Sequence, residues 1–310
     1  GNSNLQFIGK QAFSGCPLKS ITIPSAVQFI DESSFFNCKY LKTVEIPANS
    51  ELFSIGNLAF SKCPIEKITI PSSVVKIGKF CFRYCKKLTS VEFPPNSQLR
   101  TIDSSAFYDT SLVSISIPTT VTRIGEFAFS ECKSLKTVKI SIISELKSIG
   151  SFAFSNASLR SISIPSNVAI ISEGAFFCCS HLKTVDFIVN LSLKKIEKNV
   201  FARSSITAIE IPSNVVKITD LAFSECKHLK TVTFGQNSKL RSIGNSAFYK
   251  SSLEKISIPS SVVEIGESCF AECGGLKTVK LSKKSQLRSI EKSTFLHSSL
   301  VKIFIPSKVR

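Results

Sequence analysis

Eleven cysteines and three histidines are the side chains in this sequence best suited to bind metal, form disulfides or attack a substrate. Eight of the cysteines (Cys16, Cys38, Cys63, Cys85, Cys132, Cys179, Cys226 and Cys273) fall three residues after a recurring phenylalanine. Elsewhere that position holds Thr110, Ala157, Ser204, Ser251 or Ser298, so every occupant is small. A position held to small residues is narrow and buried, and there a thiol acts as a small hydrophobe with a weak donor. From Cys85 onward these cysteines are two recurrences apart, about 10 Å and beyond disulfide reach, whereas Cys16, Cys38, Cys63 and Cys85 follow one another closely enough for a bridge. An odd count without paired Cys-x-x-Cys spacing argues against both a zinc site and a disulfide framework, and favours reduced structural thiols. Cys81, Cys178 and Cys269 are expected to be small core residues.

His181 and His228 occupy equivalent places two units apart, which predicts an exposed pair about 10 Å from each other, too far to share a metal. Neither they nor His297 has a Ser or Cys where a nucleophile and its base would meet. The 13 glycines are spread along the turns and form no phosphate loop. The expectation is a chain without catalysis, cofactor or metal.

Charge is more informative. Lys plus Arg number 39 against 22 Asp plus Glu, a net charge of 39 − 22 = +17, which favours anionic partners. Lys42, Lys136, Lys183, Lys230 and Lys277 share one position of the repeat, with Thr89 as the exception; Arg100, Lys147, Lys194, Arg241 and Arg288 share another. Glu32, Glu126, Glu173, Asp220 and Glu267 form an acidic column, broken by Lys79. Each basic column carries one charge per two units, about 10 Å apart and near the Debye length at physiological salt. Such columns keep a repetitive protein soluble and discourage edge pairing; they also make a track for a polyanion such as a sulphated glycan. Nucleic acid fits less well, because base-stacking aromatics are not interleaved with the columns.

The element positioning all of these is the phenylalanine itself. Phe13, Phe35, Phe60, Phe82, Phe107, Phe129, Phe154, Phe176, Phe201, Phe223, Phe248, Phe270 and Phe295 recur at steps alternating between 22 and 25. A period in the twenties sustained end to end marks a solenoid. Leu-x-x-(Ile/Val)-x-(Ile/Phe/Leu) accompanies every Phe, from Leu18-x-x-Ile21-x-Ile23 to Leu300-x-x-Ile303-x-Ile305, with Ile65 and Ile206 replacing the first Leu twice. Its period of two predicts a strand buried on one face, ended by the Pro of Ile70-Pro71-Ser72 and its equivalents. Thirteen such strands would stack in parallel into one long concave sheet of roughly 60 Å. The Ile-Gly turn and the small-Phe segment are too short for a long helix, so short strands or 3₁₀ turns are expected on the convex side. The chain reads as one domain over residues 1–310, of alternating 23- and 24-residue repeats, cut from a longer protein. It has no Met, no visible signal peptide and no apolar run approaching the roughly 20 residues of a bilayer span. Its uncapped ends suggest end-to-end or lateral self-association.

The concave face would carry the residues flanking the central strand hydrophobe: Thr43/Glu45, Ser90/Glu92, Thr137/Lys139, Thr184/Asp186, Thr231/Thr233 and Thr278/Lys280, with mostly Ser between them and Lys67, Glu210, Lys255 and Phe304 as exceptions. Ladders of Ser and Thr suit a pleated sheet and also make a hydroxyl-rich platform for a protein or glycan. Phe80 and Phe127, with Tyr84 nearby, form either an apolar contact patch or aromatics tucked under the turn. Asn156-Ala157-Ser158 and Asn190-Leu191-Ser192 match the glycosylation sequon and would be acceptors in a secreted protein; a chain this rich in Ser also makes such matches by chance.

Leu-x-x-Ile-x-Ile-Pro with Ile-Gly-x-x-Ala-Phe-x-x-Cys resembles the BspA-like leucine-rich repeat, the Treponema pallidum type, over essentially the whole chain. Ser141 and Ile188 stand where Pro is usual, and Glu197 and Glu291 where Gly is, which puts single turns in question. The resemblance implies a surface-exposed adhesion or recognition protein of bacteria or mucosal protists, binding host matrix proteins or other cells. It supplies no residue-level site. An intracellular interaction scaffold, where reduced cysteines are at home, and a polyanion-binding module are the alternatives.

Overall fold

Each Leu-x-x-(Ile/Val)-x-(Ile/Phe/Leu) motif becomes a short strand, because its alternate β-branched side chains turn to one face. In Thr43–Glu45 the central Val44 is 5% exposed while Thr43 and Glu45 face solvent. The same pattern runs through Ser114–Ile117, Ser161–Ile164 and Lys255–Ile258. The computed structural model describes residues 3–189 and 192–307. The chain folds as two compact units, Gly1–Ser158 and Leu159–Arg310. Both are β-solenoids of the expected kind, and the chain makes about 13 turns in all. Among the described residues there is no helix.

In the first unit, strands Ser20–Thr22, Thr43–Glu45, Lys67–Thr69, Ser90–Glu92, Ser114–Ile117 and Thr137–Ile140 lie on the concave side. The second unit contributes Ser161–Ile164, Thr184–Phe187, Ala208–Ile211, Thr231–Phe234, Lys255–Ile258, Thr278–Leu281 and Lys302–Ile303. All recorded pairings are parallel, but their extent alternates with the step between strands. Across 23 residues the ladder is full, as in Ser114↔Thr137 through Ile117↔Ile140 and Lys255↔Thr278 through Ile258↔Leu281. Across 24 residues it is cut short, to one pair at Thr43↔Lys67 and Thr231↔Lys255 and to two at Thr278↔Lys302 and Val279↔Ile303. The concave strands are therefore parallel as expected, but among the described residues they are grouped in ladders of four, two, two and five strands.

A second set of two-residue strands, such as Ser54–Ile55, Lys76–Ile77 and Lys217–Ile218, stands just ahead of the Ile-Gly turn. The small-Phe segment that follows is a run of turns, so the short convex strand lies earlier than that segment. The residues two before and two after every ladder Phe have positive φ, for example Ser33 (55°) and Asn37 (57°) about Phe35. The left-handed kinks let backbone N–H groups point alternately to the neighbouring coil and back along their own. Ser33, Phe35 and Asn37 donate to Asn57, Ala59 and Ser61, while Ser34, Phe36 and Cys38 donate to Asp31, Ser33 and Phe35. The donors of a helix-free segment are satisfied in this way. Glu197 keeps its turn, since Lys195–Ile196 still pairs with Lys217–Ile218; around Glu291 no second strand forms. Ile188, lacking the usual Pro, gains a bond from its N–H to Ile164 O at 3.0 Å.

The ladder rings stack inside each unit. Centroids from Phe13 to Phe154 are 5.1–5.6 Å apart with planes within 9°. From Phe176 to Phe295 they are 5.2–5.6 Å apart with planes within 17°, the range of favourable offset stacking. Phe35 through Phe270 are buried, while Phe13 and Phe295, each with a single recorded ring neighbour, are half-buried.

Candidate functional site

None of the eleven cysteines is in a disulfide, Cys16, Cys38, Cys63 and Cys85 included. Their role is structural. The Sγ–H of Cys38, Cys63, Cys85, Cys132, Cys226 and Cys273 donates to the ladder Phe carbonyl of the preceding coil at 3.0–3.1 Å. Where the preceding coil has a hydroxyl, it meets the same sulfur, as Thr110 does Cys132 at 3.3 Å and Ser251 does Cys273 at 3.3 Å. Burial pushes the Cys132 and Cys226 thiols up to about 11 and that of Cys63 to about 12, so none of these three is a ready nucleophile. His181, His228 and His297 are exposed.

Backbone bonds draw the charge columns as real rows. Lys42 N–H donates to Lys19 O, Glu66 to Lys42 and Thr89 to Glu66, on to Val113 and Lys136. In the second unit the row runs Arg160, Lys183, Thr207, Lys230, Glu254, Lys277. The basic residues are exposed, but Glu66 and Glu254 interrupt them, and Lys230 pairs with Glu254 at 3.3 Å. The other basic row alternates with apolar residues and Thr122: Val75, Arg100, Thr122 and Lys147 in the first unit, and Lys194, Val216, Arg241, Val263 and Arg288 in the second. Arg100 reaches Glu145 at 2.8 Å, and Arg241 donates to Gln286 at 3.0 Å. The acidic column is likewise answered, by Lys10–Glu32 at 3.2 Å and Lys198–Glu173 at 3.9 Å. These exposed pairs add little stability; they dilute the positive field the sequence suggested.

The residues flanking each central strand hydrophobe lie mostly on its exposed side. Thr43, Glu45, Glu92, Thr137, Lys139, Thr184, Asp186, Thr231, Thr233 and Lys280 are exposed, and Ser90 and Thr278 are half-buried. On the convex turns of the first unit Phe80 and Phe127 are half-buried. Phe127 stacks on Phe152 at 5.3 Å. The Arg83 guanidinium lies 4.5 Å from the Tyr84 ring centre and 5.3 Å from those of Phe80 and Tyr108, so these aromatics are tucked under the turn around a cation. Asn156 donates to Glu131 at 2.6 Å; Asn190 and Leu191 of the other sequon lie outside the described residues.

The spacing of concave strands creates a feature that residue types alone did not reveal. From the strand centre to the next Ile-Gly turn the chain takes 11 residues in one coil (Val44 to Ile55) and 9 in the following one (Ile68 to Ile77). Long loops thus alternate with short ones along one edge of the concave face. Three cavities lie there, each over a short loop and beside a 24-residue step. One of about 430 Å³ is lined by Ile46, Ala48, Thr69, Pro71, Ser72, Pro94 and Asn96. In the second unit, one of about 380 Å³ includes Asp186, Glu210 and Pro212, and one of about 640 Å³ includes Thr233, Lys255 and Lys280. Hydroxyls clamp the loops: Ser73, Thr120 and Ser261 each donate to two carbonyls of the long loop before them at 2.8–3.0 Å. The alternating step was visible in the sequence; that it opens the ladder was not.

Among the described residues no group of His, Cys, Asp and Glu is arranged to hold a metal, and no helix is long and apolar enough to cross a membrane. The family model described as a BspA type leucine rich repeat region (6 copies) matches residues 6–113, 100–193 and 194–310. A leucine-rich repeat protein from Bacteroides ovatus is 27% identical, covers 92% of this chain and 82% of its own, and superposes with a TM-score of 0.73. The pneumococcal vaccine antigen PcpA shares the fold at 21% identity and a TM-score of 0.58, over 98% of this chain and 78% of its own. No curated relative matches the chain.

Proposed function

Because the chain belongs to the BspA-type leucine-rich repeat family, whose repeats serve as protein-interaction modules, we propose that it is a non-catalytic adhesion or recognition module at a cell surface. It binds host or microbial proteins or glycans through the concave face, assisted by the basic rows. The observation that carries this is the outward half of each concave strand. Thr137 and Lys139, or Thr184 and Asp186, stand exposed on rigid strands whose other half is buried. Function is grafted on a fold rather than implied by it, and here the graft is a platform of hydroxyls and charges.

The test is adhesion of the labelled chain to intact cells or immobilised matrix proteins. Thr137→Arg with Thr184→Arg, two exposed changes that spare the core, should abolish it. Lys62→Glu on the convex turns should leave it intact. Adhesion that survives the concave changes refutes the platform, and protease shaving of intact source cells that leaves the protein untouched refutes the surface location. Eleven cysteines with no disulfide among them suit a second reading, an intracellular interaction scaffold, where thiols stay reduced. The shaving experiment separates the two.

A further inference from the structure

The cavity beside Thr233, Lys255 and Lys280 in the second unit has a chemistry of its own. Its about 640 Å³ falls within the range of small-ligand sites. Thr231, Thr233, Ser257 and Ser260 supply hydroxyls, Phe234 and Pro259 supply apolar surface, and Lys255 and Lys280 supply positive charge. The two lysines come from adjacent strands in full register, Lys255 opposite Thr278 and Ser257 opposite Lys280. Glu254, next to Lys255 in the chain, is committed to Lys230 at 3.3 Å, while Glu210 stands opposite Thr233 at the cavity's edge. On the far side the ladder to Thr231–Phe234 stops after Thr231↔Lys255, and that opening is the mouth of the site.

The walls are fixed before anything binds. Gly235 and Lys239 donate backward to Ile211 O at 2.9 Å and Ser213 O at 2.8 Å. Ser261 Oγ donates to the carbonyls of Ser238 and Leu240 at 2.9 and 2.8 Å, and Leu240 N–H donates to Ser238 Oγ at 3.3 Å. A Cβ at position 235 would lie 2.8 Å from Ser213 N. Glycine thus lets this long loop settle against the preceding short loop, away from Lys255.

We infer that this cavity is a binding site for a short acidic saccharide, a sugar end bearing sulfate or carboxylate. The lysines would meet the anionic group, the hydroxyls would exchange hydrogen bonds with sugar hydroxyls, and Phe234 and Pro259 would face the C–H side of a ring. A long polyanion fits poorly: across the same loop, with Gly235 shared, lies the cavity of Asp186 and Glu210, which repels a negative chain continuing along the face. The inference rests on the recognition role proposed above but uses different residues from the basic rows.

The test is calorimetric titration of the whole chain with a heparin-derived and a hyaluronan tetrasaccharide; the first carries sulfate and the second carboxylate alone. Binding of either, weakened about tenfold or more by Lys255→Ser with Lys280→Ser, supports the site and identifies the anion it prefers. Both lysines are exposed, so the variant should keep the wild-type circular dichroism and melting temperature. Lys62→Ser with Lys250→Ser, two exposed lysines on the convex turns, should change the affinity less than about twofold. The inference is overturned if neither tetrasaccharide binds, if the Lys255/Lys280 variant binds as the wild type does, or if the convex-turn variant loses as much affinity. Concave-face adhesion that persists in any of these cases leaves the recognition role standing while this site falls.

Discussion

Replacing Phe223 by Ala should cost the second unit about 4 kcal/mol. Phe223 is fully buried, with ring centroids at 5.5 Å to Phe201 and 5.2 Å to Phe248. Truncating a core Phe costs roughly 3–5 kcal/mol in transfer and cavity terms. Of that, each stacked neighbour accounts for roughly 0.5–1.5 kcal/mol beyond area. The site cannot collapse, because coils above and below are pinned by backbone bonds such as Phe201 N–H to Ala222 O at 3.0 Å and Phe223 N–H to Ala247 O at 2.8 Å. Phe223→Leu keeps most of the apolar area and loses both ring contacts, so about 1–2 kcal/mol is expected. Phe295 is half-buried with one recorded ring neighbour, Phe270 at 5.6 Å, and Phe295→Ala should cost about half as much as Phe223→Ala. Urea unfolding followed by circular dichroism, read as a change of midpoint at constant slope, gives each value. A loss below about 1 kcal/mol for Phe223→Ala, or an equal loss for Phe295→Ala, refutes a stacked, dry spine as the main source of stability.

Three further outcomes follow from the turns and thiols. Gly244→Ala should destabilise by several kcal/mol or prevent folding, because its Cβ would meet Asp220 N at 2.6 Å and Thr219 C at 2.7 Å, while Gly274→Ala, facing open space, should stay within about 0.5 kcal/mol of wild type on thermal melts. Iodoacetamide at neutral pH should label half-exposed Cys16 and Cys178 first, with Cys132 and Cys226 reacting only on unfolding; mass spectrometry of tryptic peptides gives the order, and early labelling of the buried pair would contradict it. Burial holds the Cys132 and Cys226 thiols near 11, against an ordinary 9.0. Below 9 both states keep the proton, and between the two values only the unfolded chain releases it. Stability should therefore fall as pH rises through that window, by up to about 1.4 kcal/mol per pH unit per thiol. Cys132→Ala with Cys226→Ala should flatten the fall, measured by urea titrations across it; an unchanged slope refutes the assignment.

The sequence by itself determined the solenoid, because each coil repeats one physical requirement. A ring must sit on a ring, a β-branched face must be buried, and a small residue must fill the space three positions after Phe. Those constraints are local and periodic, so Phe107, Ile115 and Cys132 announce their own places. The exposed rows were legible for the same reason, since equal positions in stacked coils lie in line. What neighbours do across a row was not: Glu66 and Glu254 dilute the lysine row, and Arg100 finds Glu145 two coils away. Only the tertiary structure decided that a 23-residue step closes a strand ladder while a 24-residue step cuts it short. One residue in the step between strands carries no chemistry of its own, and its effect exists only when two coils pack together. It is that difference which turns Lys255, Ser257 and Lys280 from positions in a repeat into the lining of one cavity.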